Sequence, residues 1–256
     1  FLFFTLKFIS DIINLNFYKS GGLIVKIWQV LKDSTSQTYD KLFKFAILNI
    51  IWFLLSTLVV FIGYSGLIIQ FYYLLIVPII FLGPLFMAGL MNGISYIQYN
   101  DFEIKKYFFY IKENFKRGLL GFLLTFFVYA LLIIDLVFFL RKGTNSLFML
   151  VLAVLVLYIL IFFSMMQCYF WGFLALDRDK KIRHVLKNSF LVTIDNVVFS
   201  FLWFLIVFII AVILIVTGFG MAVLLMNFLT LMMLNGTIAV SSEYDKLDIE
   251  GLNLDE

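Results

Sequence analysis

Polar side chains are rare inside the apolar stretches of this sequence, and three of them suggest a path for a polar solute. Asp135 lies in one apolar run, and Asn49 and Gln167 lie in two others. A carboxylate buried at membrane depth costs at least ~2.5 kcal/mol, so an acid there is a functional hypothesis by default. A purely structural explanation is also open for each residue. Asp135 is about 8 Å from the run's end at Leu140, so it could reach water or pair with the basic residues that follow. The amides of Asn49 and Gln167 could form interhelical hydrogen bonds.

Basic residues between the apolar runs predict a second kind of chemistry, contact with anionic lipid headgroups. The residues that carry this prediction are Lys112, Lys116, Arg117, Lys181 and Arg183. The alternative is that these positive charges serve only to orient the chain during membrane insertion.

Catalytic and metal-binding patterns do not occur in the sequence. There is no phosphate-binding Walker loop, HExxH pair, GxSxG elbow or carboxylate cluster with metal spacing. The single Cys168 and the single His184 cannot form a thiol or histidine metal site by themselves. We therefore expect a protein that is not an enzyme and has no cofactor, and the net charge of +3 gives no reason to expect nucleic-acid binding.

Composition identifies lipid as the solvent for most of the chain. Hydrophobic residues make up 64% and charged residues 14% of the sequence, whereas charged residues are roughly a quarter of an ordinary soluble domain. The apolar residues also form long runs rather than amphipathic patterns. An all-α polytopic membrane protein follows.

Six runs satisfy the requirement of about 20 apolar residues for a bilayer crossing. The predicted spans are Leu42–Ile62, Leu67–Met91, Leu119–Leu140, Leu147–Leu176, Val197–Val216 and Met221–Val240. Short connections at Gly63–Gly66, Arg141–Ser146 and Thr217–Gly220 join them in pairs, because glycine suits a tight turn. The predicted fold is therefore three transmembrane hairpins.

Two features of the second span predict irregular packing. Gly83-Pro84 is expected to break it into a span and a separate helix, and Gly89 and Gly93 form a GxxxG pattern that permits close helix approach. Discontinuous helices are typical of transporter binding sites.

The chain divides into three predicted regions. Residues 1–41 are an amphipathic N-terminal segment whose first part, Phe1–Phe17, is expected to lie at the interface or to pack on the bundle. Residues 42–240 form the six-helix transmembrane domain, and residues 241–256 form an acidic tail.

In the predicted topology, seventeen of the nineteen basic residues lie on one side of the membrane, and only Arg141 and Lys142 lie on the other. Because short cytoplasmic loops retain lysine and arginine, this asymmetry predicts a plasma-membrane protein with both termini in the cytoplasm. A charged, aromatic-rich segment precedes each hairpin, with a period near 75 residues. Internal duplication and convergent membrane patterning are both open explanations.

Several stretches resemble the YesL-like family of bacterial membrane proteins of uncharacterised function. The likeness is carried by Leu48–Ser56 (LNIIWFLLS), by Gly83-Pro84 and by Phe108–Gly118 (FFYIKENFKRG). This sequence has Thr57-Leu58 where the family has Leu-Pro. Because the family is often encoded near carbohydrate ABC transporters, the resemblance implies an accessory or scaffolding subunit of such a transporter, and it implies no catalytic residues.

Three functions are therefore open at this point. The leading expectation is the non-enzymatic accessory subunit, with ABC-type transporter subunits and membrane lipids as partners. The alternatives are a small-solute transporter that uses Asp135, Asn49 and Gln167, and a lipid-handling protein that uses the basic surface.

Overall fold

The computed structural model describes residues 26–99, 104–143 and 146–241, which form helices and contain no strand. The helices are α1 (26–40), α2 (Leu42–Ile68), α3 (Ile76–Tyr99), α4 (Ile104–Glu113), α5 (Phe115–Gly143), α6 (Leu147–Leu176), α7 (Ile182–Asp195), α8 (Val197–Val216), α9 (Phe219–Val223) and α10 (Leu225–Ser241), with a 3-10 turn at Tyr72–Leu75. The predicted all-α polytopic fold is confirmed. The predicted segment Phe1–Phe17 and the acidic tail after Ser241 lie outside the described residues.

Five of the described helices are long and apolar enough to cross a membrane. The sixth predicted span, Met221–Val240, is not one continuous helix, which corrects the sequence analysis. It is divided at Leu224 into the five-residue α9 and the 17-residue α10. At ~1.5 Å per residue, α10 covers only about 26 Å.

The first hairpin turns later than predicted. Helix α2 continues through Gly63 and Gly66 to Ile68, and the chain reverses at Gln70, whose φ is 57°. A Cβ on Gly63 would lie 2.7 Å from the ring of Pro78. These glycines therefore allow close helix approach and do not form the turn, whereas the predicted turn at Thr217–Gly220 is present and contains Gly218 at φ 61°.

The predicted break at Gly83-Pro84 is also wrong, because α3 continues through Pro84 to Tyr99. Position 83 requires glycine because α5 packs closely against it, and a Cβ there would collide with the backbone oxygen of Gly118. The GxxxG pair has a similar role: Gly89 lies against Met226 of α10.

Contacts between the helices repeat around a closed ring of three units, α1–α3, α4–α6 and α7–α10. The inner helices α3, α6 and α10 all contact one another. Each outer helix (α2, α5 or α8) packs on the inner helix of its own unit and on that of the preceding unit. We call the first helix of each unit (α1, α4 or α7) its leading helix, and it packs on the inner helix of the preceding unit. Thus α4 packs on α3 and α7 packs on α6. Helix α1 packs on α10 through hydrogen bonds from Asn235 to Ser34 and Gln37, each 2.9 Å.

Each leading helix passes into its outer helix through one residue, Lys41, Asn114 or Asn196. The two asparagine junctions have the same geometry. The Asn114 side chain donates to the Tyr110 carbonyl oxygen at 3.3 Å, and the Asn196 side chain donates to the Val192 carbonyl oxygen at 3.3 Å. The same carbonyl oxygens also accept the backbone N–H groups of Asn114 (3.0 Å) and Asn196 (3.1 Å). Each asparagine therefore binds the last turn of its leading helix with both its backbone and its side chain, and the carbonyl uses both of its lone pairs.

Candidate functional site: a groove between α5, α6 and α7

Helix α7 has one face packed on the core and one face exposed. Val185, Ser189 and Val192 are buried, and the Ser189 hydroxyl donates to the Val185 carbonyl oxygen at 2.8 Å. Because the hydroxyl is satisfied within the helix, it can be buried against apolar neighbours. The opposite face carries the exposed side chains of Arg183 and Lys187, one turn apart.

A groove of about 800 Å³ lies beneath this exposed face. Its walls are apolar side chains of α5 and α6, and its rim on α7 is basic. The lining residues are Leu124, Val128, Ile159, Phe162, Phe163, Met166, Arg183, His184, Leu186, Lys187 and Phe190. We call it the α7 groove; it joins a positively charged end to an apolar channel along two membrane-spanning helices.

The walls of the α7 groove are held in register by polar pairs between α5 and α6. The Thr125 hydroxyl lies 3.1 Å from the Gln167 side-chain oxygen, and the Tyr129 hydroxyl lies 2.9 Å from that of Ser164. The Tyr129 ring also meets Phe163 edge to face, at 5.0 Å between centroids. Gln167 therefore takes part in helix pairing beside the groove rather than lining it.

Arg117, at the start of α5, determines where α7 begins. Its guanidinium donates to the carbonyl oxygens of Leu174 (2.8 Å), Arg178 (2.6 Å), Lys180 (2.9 Å) and Asp177. These carbonyls belong to the end of α6, where the last carbonyls lack intrahelical donors, and to the loop before α7. The Asp177 carbonyl oxygen also accepts the Lys180 N–H at 3.2 Å. Arg117 therefore holds this loop against the end of α6, and its predicted contact with lipid stays a prediction.

The other predicted headgroup contacts, Lys112, Lys116, Lys181 and Arg183, are exposed. Only Arg183 lines the α7 groove. Lys187 lines the groove beside it and was not among the predicted headgroup contacts, although its spacing of four residues from Arg183 on one predicted helix was the available signal. Headgroup binding by the remaining lysines stays a prediction.

Asn49 connects the two parts of the interrupted last span. Its side-chain nitrogen donates to the Met221 carbonyl oxygen of α9 at 3.0 Å, and its side-chain oxygen accepts the backbone N–H groups of Met226 (2.7 Å) and Asn227 (3.2 Å) in α10. In return, Asn227 donates to the Phe45 carbonyl oxygen of α2 at 2.6 Å. The amide of Asn49 thus acts as the N-cap of α10, supplied from another helix.

Asp135 is exposed on α5, on the same helical face as the groove residue Val128 and two turns beyond it. The three residues of the predicted polar path thus lie in separate surroundings: Asn49 at the α9–α10 break, Gln167 against α5, and Asp135 on the outer surface. A common polar path stays a prediction.

The arrangement of the α7 groove suits an amphiphile with an anionic head and a long apolar part. Within the described residues, no three His, Cys, Asp or Glu side chains are grouped so that they could hold a metal ion. No protein-family model, curated protein or solved structure matches the chain, so its resemblance to the YesL-like family stays a prediction.

Proposed function

We propose that this chain is a non-enzymatic integral membrane protein that binds an anionic lipid in the α7 groove. The lipid headgroup lies at Arg183 and Lys187, and an acyl chain lies along the apolar walls of α5 and α6. The observation that carries the proposal is the continuity of a basic rim with an apolar channel in one groove.

The selectivity of the α7 groove for one lipid over another is expected to come from the headgroup. An acyl chain that moves from the bilayer into the α7 groove leaves one apolar environment for another, so its burial contributes little net free energy. Each lysine or arginine near the membrane surface contributes about 1 kcal/mol toward an anionic lipid. Arg183 and Lys187 together therefore favour an anionic over a zwitterionic lipid by about 2 kcal/mol, or roughly 30-fold.

The basic surface is proposed to face the cytoplasm of a cell whose plasma membrane holds the protein. The basic residues at the rim and in the leading helices support this orientation, and Arg141 and Lys142 mark the opposite side. The anionic lipids of the inner leaflet would then meet the rim directly.

The test compares lipid retention in nanodiscs that contain equal amounts of phosphatidylglycerol and phosphatidylcholine. Native mass spectrometry after release into detergent should show phosphatidylglycerol retained preferentially. The double variant Arg183→Ala, Lys187→Ala should lose about 30-fold in preference, whereas Lys142→Ala, at the far end of α5, should retain it. Equal retention of the two lipids by the parent protein would contradict the proposal.

The other functions have less support. The accessory-subunit hypothesis depends on the family resemblance, and its transporter partner stays a prediction. The transporter hypothesis depends on Asp135, Asn49 and Gln167, which make their contacts in separate parts of the bundle.

A further inference from the structure

The closed ring of contacts raises the question of whether the α7 groove has counterparts in the other two units. The junction residues Lys41, Asn114 and Asn196 give a common reference point, because each stands between a leading helix and its outer helix. Residues at the same distance before each junction therefore occupy corresponding positions in the three leading helices.

The buried face of the leading helices matches at these positions. Seven residues before the junction stand Ser34, Tyr107 and Ser189, each with 0% of its surface exposed. Hydrogen bonds also coincide: three residues before the junction, Thr38 donates to the Ser34 carbonyl oxygen at 2.8 Å and Thr193 to the Ser189 carbonyl oxygen at 2.7 Å.

In α4, the aromatic side chain at the matching buried position makes the contact with the inner helix. The Tyr107 hydroxyl donates to the Leu85 carbonyl oxygen of α3 at 3.0 Å. Burial raises the pKa of Tyr107, so the hydroxyl keeps its proton and remains a donor at neutral pH. The leading helices therefore dock in the same register through different side chains.

The exposed face matches as well. Nine residues before the junction stand Lys32, Lys105 and Lys187, and all three are exposed. Each has an exposed aromatic side chain within one turn: Trp28 (68%), Phe108 (52%) and Phe190 (45%) respectively. Lysine together with tryptophan or phenylalanine is typical of helices that lie in the membrane interface.

We infer that the chain consists of three copies of one helical unit, and that the lipid site at Lys187 has two counterparts, at Lys32 and Lys105. This inference rests on the proposed function and extends it to three headgroup sites for anionic phospholipid on one membrane surface. The site at Lys187 binds most strongly, because it adjoins the α7 groove and has a second cation, Arg183, one turn away on the same face of its helix. Beside α4, the matching space belongs to a filled cluster that contains Trp52 and Tyr110.

The experiment counts the lipids that the protein keeps. The full-length chain is assembled in phosphatidylglycerol nanodiscs, released into detergent and weighed by native mass spectrometry. The parent protein should retain three phosphatidylglycerol molecules, and Lys32→Ala and Lys105→Ala should each retain one fewer. Lys142→Ala on the opposite side is the matched control and should keep all three.

The possible failures are distinguishable. Retention of one lipid that is lost only in Lys187→Ala would refute the two counterpart sites and leave the proposed function intact. No retained lipid in the parent protein would refute the proposed function and this inference together. Circular dichroism of each variant checks that helix content is unchanged, as expected for exposed side chains.

Discussion

Replacement of Asn49 by leucine should destabilise the bundle through three hydrogen bonds at once. Leucine has a similar volume but cannot donate to Met221 or accept from Met226 and Asn227. These backbone groups lie at the break between α9 and α10, where no helical partner replaces the amide. In an apolar surrounding they would remain unpaired.

The size of the effect follows from two estimates. Interhelical hydrogen bonds in membrane proteins average about 0.6 kcal/mol, so three of them give about 2 kcal/mol. A buried backbone group left without a partner costs roughly 1–3 kcal/mol, so three groups give about 3 kcal/mol at the lower limit. We expect Asn49→Leu to lower the free energy of unfolding by about 2–3 kcal/mol, a large part of a typical 5–15 kcal/mol.

The assay is reversible unfolding in mixed micelles as the fraction of denaturing detergent rises. Ser56 supplies a matched control, because it is buried on the same face of α2 two turns further on and its hydroxyl has no hydrogen-bond partner among the described residues. Ser56→Ala should leave stability unchanged or raise it, because it removes a buried hydroxyl that has no partner among the described residues. If Asn49→Leu were as stable as Ser56→Ala, the reasoning about the capped break would be refuted.

Four further predictions follow from the packing. Arg117→Lys keeps the charge but loses the planar fork, so amide hydrogen exchange in the loop 177–181 should rise while that of α2 stays unchanged. Gly83→Ala places a methyl group against Gly118 and should lower stability by about 1–3 kcal/mol in the same micelle assay, whereas alanine at the exposed Leu131 should have a smaller effect. Asn92→Leu removes a buried amide that has no partner among the described residues and should leave stability unchanged or raise it; a loss above ~1 kcal/mol would contradict this. In the proposed topology each unit returns to the same side of the membrane, so a circular permutant that begins at α4 and ends with α1–α3 should insert with unchanged topology. Cysteines at positions 112 and 142 should then be accessible from opposite sides, and accessibility from the same side would contradict the prediction.

Local sequence was sufficient where the end of an apolar run is also the end of a helix. The predicted bounds of α6 and α8, Leu147–Leu176 and Val197–Val216, coincide with the observed ones. Both runs are bordered by polar residues, Asp177 after the first and Asn196 before the second. Transfer of these residues into hydrocarbon is unfavourable, so the composition alone determines the boundaries.

The contacts of Gly63 and Arg117 could not be predicted from local sequence, because they depend on residues far away in the chain. Gly63 is equally suited to a turn and to a close helix contact, and only the position of Pro78 decides between them. Arg117 is one basic residue among several near the start of α5. Its four acceptors lie more than fifty residues further on, in a loop that approaches only when α5 and α6 pair.

The three units have the same arrangement but have diverged where polar groups are buried. Asn92-Gly93 in α3 and Asn235-Gly236 in α10 are the same dipeptide on two inner helices that each receive a leading helix. Asn235 finds its partners on α1, in Ser34 and Gln37. At the matching positions α4 has tyrosines instead, and their hydroxyls bond to Leu85 and Ser95. The Asn92 amide consequently has no partner within residues 26–99, 104–143 and 146–241, at a cost that the aromatic packing of α4 must offset. Such substitutions alter individual units without changing the ring, and the α7 groove is the place where the apolar walls of α5 and α6 and the exposed face of α7 leave room for a ligand.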